Sequence, residues 1–278
     1  MHLCDSIRHV PEMSPSNPPA PHVLLLAALR DELEPTVSAL QLQWSTGGGA
    51  AKGEFEGIPT TAAATGMGAA RVTAAASKLV DTEGPSAILL LGLAGGLDPG
   101  LKAAEVRRIV RILDEHGGAY ALQCGTVPQR QEVDEPAAAD TQHDDGAAAT
   151  LLSVDTVISS VEQKAELFGR YGAAMVDMES AALARLALQR GLPLTVLRAV
   201  SDPADQVLPP QAVTWVREDG SIDTRAAMMF LATHPWMAGK LMSLRRHAQA
   251  AAQALAGAVG DVLRTMVKPL ADQDVERS

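Results

Sequence analysis

"SAILLLGLAGG", residues 86–96, carries an unbroken aliphatic run that closes on glycines. A run this short and continuous has no polar face to give to water, so it reads as a strand buried on both sides of a parallel sheet. Its end continues into "GLAGGLDPG" (92–100), a tight turn at which two backbones pass closely. The pattern repeats in both directions. "HVLLLAAL" (22–29) is a similar strand, followed by "RDELEPTVSAL" as loop and helix, and "TTAAATGMG" (60–68) leads into the helical "AARVTAAASKLV" (69–80). Further on, "AATLLSVDTVI" (148–158) and "LPLTVLRAVSD" (192–202) are strands, with the helical "AAMVDMESAALARLA" (173–187) between them. Apolar strands alternating with Ala-rich helices predict an α/β fold, doubly wound or related, whose site lies in loops at the strand C-termini.

At 278 residues and 47% hydrophobic, the chain can bury the core of one large domain. Residues 1–21 are Pro/Ser-rich and read as a flexible tail, 22–268 as the domain, and 269–278 as a second tail. Within the domain, "QRQEVDEPAAADTQHDDGAAAT" (129–150) is acidic and unperiodic, an expected exposed loop. A net charge of −10 without any Lys/Arg block argues against nucleic acid as a partner. Cys4 and Cys124 lie in unrelated contexts with no CxxC, so neither a metal site nor a disulfide is expected, and a reduced, cytoplasmic setting is. No apolar run reaches the length of a membrane span.

Three carboxylates stand just past apolar segments: Glu32, Glu179 and Asp202. Groups at the C-terminal ends of parallel strands converge on one crevice even when far apart in sequence. Asp177 and Glu179 also suit a plain helix start, where a carboxylate caps free N–H groups and meets the positive end of the dipole. From these residues alone both readings stay open. "TGMGAAR" (65–71) offers a Gly-x-Gly turn before a helix, able to cradle an anion, but Arg71 takes the place of the third glycine of a dinucleotide fingerprint, so no such cofactor is expected.

In this order, "AALRDEL" (27–33), "TGMG" (65–68), "GLAGGLDPGLK" (92–102), "MVDMESAALA" (175–184) and "LRAVSDPAD" (197–205) resemble the nucleoside phosphorylase and nucleosidase superfamily. The likeness is greatest to its methylthioadenosine/S-adenosylhomocysteine nucleosidase branch. The resemblance implies a single α/β domain with a central mixed sheet closed into a distorted barrel and flanked by helices. It also implies N-glycosidic cleavage of an adenosine-type nucleoside without cofactor or metal, and a homo-oligomer, a dimer in the first instance. Carried over by motif, Asp202 is the acid for purine N7, Glu32 the water-activating base, and Arg198 its helper. Glu179 then binds the ribose diol with Met178 against the sugar, leaving Asp177 as the cap. Val157, Ile158 and Ser201 fall beside the purine, and Gly66, Gly68, Arg71, Ala94 and Gly95 around an anion or water pocket.

The chain departs from the family pattern in three places. Phosphorolytic relatives hold phosphate with an arginine and a hydroxyl residue in R-[IV]-G-[ST]; Leu90 and Leu93 occupy those places here, which favours water over phosphate unless Arg71 supplies the charge. Leu93 also replaces a serine that helps position water in the nucleosidases. Where those enzymes carry an adenine-stacking aromatic, this chain has Val157 and Ile158. The helical extension, 208–268, is longer than in the small nucleosidases and carries an apolar stripe from Met237 through Leu244, Ala251 and Val259 to Met266. Its "HPW" and "LRR", with "SDPADQVLPP" before them, are similar to the hopanoid-associated phosphorylases, implying an adenosyl group on an apolar polycyclic lipid. Trp215, Trp236, Met228 and Met229, with Arg245 and Arg246, would suit such a substrate and a peripheral contact at a membrane surface. A phosphate-dependent phosphorylase, or a non-catalytic nucleoside- or lipid-binding module, are the alternatives; the joint presence of Glu32, Glu179 and Asp202 speaks for an enzyme.

Overall fold

The computed structural model describes residues 21–131, 148–207 and 233–275, with side chains described as far as 267. Strand β1 (Val23–Ala27) and helix α1 (Arg30–Ala39) open the domain. An antiparallel ribbon follows, β2 (Gln43–Trp44), β3 (Ala51–Phe55) and β4 (Ile58–Ala64), and then α2 (Ala69–Glu83). The long β5 (Ala87–Gly96) leads to β6 (Val106–Asp114), β7 (Ala119–Ala121), β8 (Gln129–Gln131) and β9 (Ala148–Ser153). The remaining elements are α3 (Val161–Tyr171), β10 (Met175–Asp177), α4 (Ser180–Arg190), β11 (Leu194–Asp202), a 3₁₀ turn over Pro235–Met237 and α5 (Ala238–Val275).

All eleven strands belong to one mixed sheet. Five of them close on themselves: β5 pairs β10 antiparallel, β10 pairs β9 parallel, β9 pairs β6 parallel, β6 pairs β11 antiparallel, and β11 returns to β5 parallel. This is the distorted barrel with outlying strands. On one side β1, β4, β3 and β2 extend from β5; on the other β7 and β8 extend from β6.

Strand alternation explains why the central runs are apolar at every position. On β1 and β5, Leu24, Leu26, Ile88 and Leu90 face a core shared with Val72 of α2 and Leu183 of α4, while Leu25, Leu89 and Leu91 face a second core with Leu33 of α1 and Leu255 of α5. Both faces are covered, so both need aliphatic side chains. The stripe predicted in the extension behaves in two ways. Ala251, Leu255, Val259 and Met266 are fully buried, whereas Met237, Leu241, Leu244, Ala248 and Val262 are only half-buried, and Leu263 beside Val262 is the residue that enters the core.

Some sequence expectations need correction. The described ends of the 129–150 segment are strands, because Gln129–Gln131 pairs with β7 and Ala148 onward pairs with β6. The expected tail at 269 is instead the continuation of α5 to Val275. The strand read over 148–158 stops at Ser153, and 154–158 is an irregular turn. Residues 1–20, 132–147 and 208–232, including Trp215, Met228 and Met229, lie outside the described residues. Among the described residues no helix is long and apolar enough to cross a membrane.

Candidate active site

Glu179 is the last residue before α4, yet its side chain makes no capping bond to that helix. Its Oε1 accepts instead from the N–H of Gly68, at 2.8 Å, across 111 residues of sequence. Gly68 is the N-cap of α2 with φ +90°, a conformation open to glycine, so the turn aims the positive end of α2 at the Glu179 carboxylate. Asp177 takes the capping work: Ser180 N donates to both of its oxygens, at 3.3 and 3.2 Å, and Ser180 Oγ donates to Oδ2 at 2.6 Å. Asp177 also receives Nη2 of Arg198 in a fully buried ion pair. The same Nη2 stands 3.8 Å from Oε2 of Glu179, and Nη1 donates to Leu91 O at 3.3 Å.

Glu32, in the first turn of α1, completes this cluster. Its Oε2 is buried and has no hydrogen-bond partner among the described residues. It lies with Arg198 Nη1 over the α-carbon of Gly92: a β-carbon there would stand 2.0 Å from Nη1 and 3.1 Å from Oε2. Glycine at 92 is therefore a requirement of space, since any side chain would push the guanidinium aside. Burial pushes the Glu32 carboxyl up to about 8, against the opposing pull of Arg198. Burial, with Asp177 beside it, also raises Glu179, and again Arg198 opposes.

Asp202 forms a second group on the same strand pair. Arg198 registers with Gly92 across β11 and β5, and Asp202 with Gly95 after a bulge. Gly92 and Gly95 are three residues, about 10 Å of strand, apart. The close approach recurs, as a β-carbon on Gly95 would meet Oδ2 of Asp202 at 3.2 Å. Ser201 Oγ bonds Oδ1 of Asp202 and lies 3.3 Å from Ala94 O. Burial raises the Asp202 carboxyl, and Lys164, whose Nζ is 2.7 Å from Oδ2, pulls it down. The fold thus brings Glu32, Glu179, Arg198 and Gly68 together, and Asp202, Ser201, Ala94 and Gly95 next to them.

Other predicted site residues are less engaged. Arg71 is exposed, its stem laid over Gly66, where a β-carbon would meet Cδ at 3.0 Å. Met178 and Val157 are half-buried, and Ile158 packs on the cluster containing Leu152, Val154 and Val176. Leu90 is fully buried in the first core and Leu93 packs on the second, and an aliphatic side chain offers no donor to an anion. Sequence reasoning passed over Lys164, the Asp177–Arg198 pair and Gly92. A signal for Lys164 existed: Lys164, Leu167, Phe168 and Tyr171 recur at helical spacing, which places a lysine in an otherwise apolar stripe.

Comparison with known proteins agrees with this architecture. A 5′-methylthioadenosine/S-adenosylhomocysteine nucleosidase of Staphylococcus saprophyticus is 29% identical over 153 residues, covering 50% of this chain and 67% of that protein. Among solved structures, the 5′-methylthioadenosine/S-adenosylhomocysteine nucleosidase of Helicobacter pylori superposes with a TM-score of 0.60 at 19% identity, over 90% of this chain and 99% of the other. Futalosine hydrolase of the same organism gives a TM-score of 0.59 at 20% identity, over 90% and 98%. These likenesses show the fold. The Phosphorylase superfamily model matches residues 22–231, most of the described domain, and on that match the chain belongs to the Phosphorylase superfamily, as an enzyme of its nucleoside-cleaving class.

Proposed function

We propose that this enzyme hydrolyses the N-glycosidic bond of an adenosine-type nucleoside and releases adenine. The observation that carries the reading is the division of labour between two buried carboxyls that meet the β5–β11 strand pair at different glycines: Glu32 of α1 over Gly92, held up to about 8 with one oxygen unpartnered among the described residues, and Asp202 of β11 beside Gly95, raised but tied to Lys164. Cleavage needs a proton on the leaving base and a nucleophile at C1′, by the logic that governs glycoside hydrolysis. Asp202 supplies the proton to N7. Glu32 takes a proton from the attacking water, with Arg198 fixed beside it by Asp177. Glu179 accepts from the 2′- and 3′-hydroxyls, and its charge faces the ribosyl cation as that charge develops. Water is favoured over phosphate because Leu90 and Leu93 replace the anion ligands, Arg198 is already paired, and Arg71 faces solvent.

The S. saprophyticus and H. pylori nucleosidases are named for adenosines that differ only at the 5′ position. For this chain an apolar 5′ group is the finer proposal. Val207, Trp236 and Met242 are the large apolar residues exposed among those described, at 51%, 71% and 60%. His247 Nδ1 and Gln206 Oε1 are 3.0 Å apart, tying the chain just past Asp202, where Val207 follows, to α5, the helix that carries Met242. Exposed Lys240, Arg245 and Arg246 beside them would suit a substrate drawn from an anionic membrane surface.

The test is adenine release by the full chain from 5′-methylthioadenosine, S-adenosylhomocysteine and an adenosine with a bulky apolar 5′ substituent, with and without phosphate. Phosphate-independent release is expected. A strict phosphate requirement would replace hydrolysis by phosphorolysis, and no release from any substrate would leave a binding module.

A further inference from the structure

Lys164 projects from α3 and is fully buried, with its Nζ surrounded by oxygen atoms. Asp202 Oδ2 is 2.7 Å away, Pro203 O 2.8 Å, Gln206 O 3.1 Å and Asp202 O 3.2 Å. An ammonium has three N–H donors and no acceptor, so four acceptors and no donor around it call for the fully protonated form. One side chain thus fastens the Asp202 carboxyl and the backbone of 202–206 together. Among the described residues the other carboxyl oxygen, Oδ1, meets only the Ser201 hydroxyl, which can turn its single proton toward Asp202 or toward Ala94 O. With its proton on Ala94 O, that hydroxyl no longer supplies a hydrogen to Oδ1.

We propose that Lys164 is a positioning residue for the general acid: its ammonium occupies Oδ2 of Asp202, so that the proton given to the purine is carried on Oδ1. The inference rests on Asp202 being the acid, as in the function proposed above. In the step, Oδ1–H breaks as N7–H forms, and the C1′–N9 electron pair leaves with adenine. Water adds to C1′ and gives its proton to Glu32. Asp202 is left as a carboxylate against a fixed cation, and exchange with solvent restores both groups. The charged groups facing Asp202 are Lys164 from α3 and, farther off, His247 from α5. Ser201 is its neutral partner on β11, and β5 offers only Gly95 and the backbone of Ala94.

The experiment compares wild type, Lys164→Met, Lys164→Gln and Asp202→Asn on 5′-methylthioadenosine and on 4-nitrophenyl riboside, whose phenolate leaves without a proton. Turnover is read across pH beside a melting temperature for each variant. Loss of general acid catalysis is worth about 10²–10⁴-fold. Both lysine variants should lose at least about tenfold in kcat on the nucleoside relative to the nitrophenyl riboside. The descending limb of their pH profile should also move to higher pH, because the cation that stabilises the Asp202 carboxylate is gone. A merely structural lysine would lower both activities together and leave the limb in place. If Asp202→Asn loses the nucleoside reaction while the lysine variants keep the wild-type ratio and pH limb, the positioning role is wrong and the function stands. If Asp202→Asn itself is unimpaired, the assignment of the acid falls first. Failure of both lysine variants to fold while Asp202→Asn folds normally would make Lys164 a strut and overturn the proposal.

Discussion

Replacing Glu32 by glutamine separates its part in the reaction from its part in the fold. Burial holds its carboxyl at about 8 against an ordinary 4.5. The unfolded chain therefore releases this proton near 4.5 while the folded chain keeps it to about 8, so stability falls as pH rises between those values and is level beyond them. At 1.36 kcal/mol for each pH unit, the interval amounts to as much as about 5 kcal/mol. Glutamine fills nearly the same volume without ionising, so Glu32→Gln should escape this loss. Its melting temperature should lie near that of wild type around pH 4.5 and exceed it increasingly toward pH 8, by about 2–4 °C for each kcal/mol. Over the same range kcat/KM of the wild type should climb with pH through about 8 as the base ionises. The variant should lose about 10²–10⁴-fold in kcat. Thermal melts and adenine release at half-unit steps from pH 4.5 to 9 provide both readings. A melting difference that does not grow with pH would refute the buried-acid reasoning, and near-normal turnover would refute the base.

Further substitutions probe the rest of the site. Gly92→Ala should displace Arg198, because the new β-carbon would stand 2.0 Å from Nη1; a loss of about 1–3 kcal/mol and at least tenfold in kcat is expected, and a normal enzyme would disprove the packing argument. Glu179→Gln keeps an acceptor for Gly68 N but no charge, so KM should rise and kcat fall with little change in melting temperature; the reverse pattern would mark Glu179 as structural. Asp202→Asn should still bind nucleoside while losing most turnover, and equilibrium binding beside steady-state kinetics checks the split. Trp236→Ala, at a residue 71% exposed, should change stability by no more than about 0.5 kcal/mol yet lower kcat/KM for a bulky apolar 5′ group more than for 5′-methylthioadenosine; equal effects on both would count against the apolar substrate.

Much of the scaffold was legible because burial on both faces leaves a plain mark. "VLLLA" and "AILLLGLAGG" admit no polar side chain, and "LTVLRAVSD" admits Thr195, bonded to the 124–125 turn, and otherwise only Arg198, Ser201 and Asp202 of the candidate site; β1, β5 and β11 fall on these runs. Closure of the barrel was not legible from the pattern alone. It depends on the three-residue β10 and on β6, "VRRIVRILD", whose three arginines interrupt the apolar signal and which pairs with β11 far along the chain. The family motifs led to Glu32, Glu179, Arg198 and Asp202 but not to the residues that hold them. Asp177 looks like an ordinary cap until Arg198 arrives from 21 residues downstream, and Lys164 looks like one more helical lysine until α3 turns it inward. Supports of this kind are products of tertiary contact.

The arrangement of charge also explains why the proposed base, Glu32, is so hard to ionise. Glu32 lies between an arginine already neutralised by Asp177 and a second carboxyl, Glu179, in a setting that burial makes hostile to negative charge. A Glu32 fully ionised at rest would have been matched by a free cation and would gain little when the sugar became positive. In the role proposed for it, a carboxyl held near 8 would gain most as a carboxylate when C1′ acquires positive charge, so its stabilisation would be greatest at the transition state. Asp202 runs the opposite way. Its proton is kept by burial and becomes easier to give because Lys164 stands ready for the carboxylate that remains.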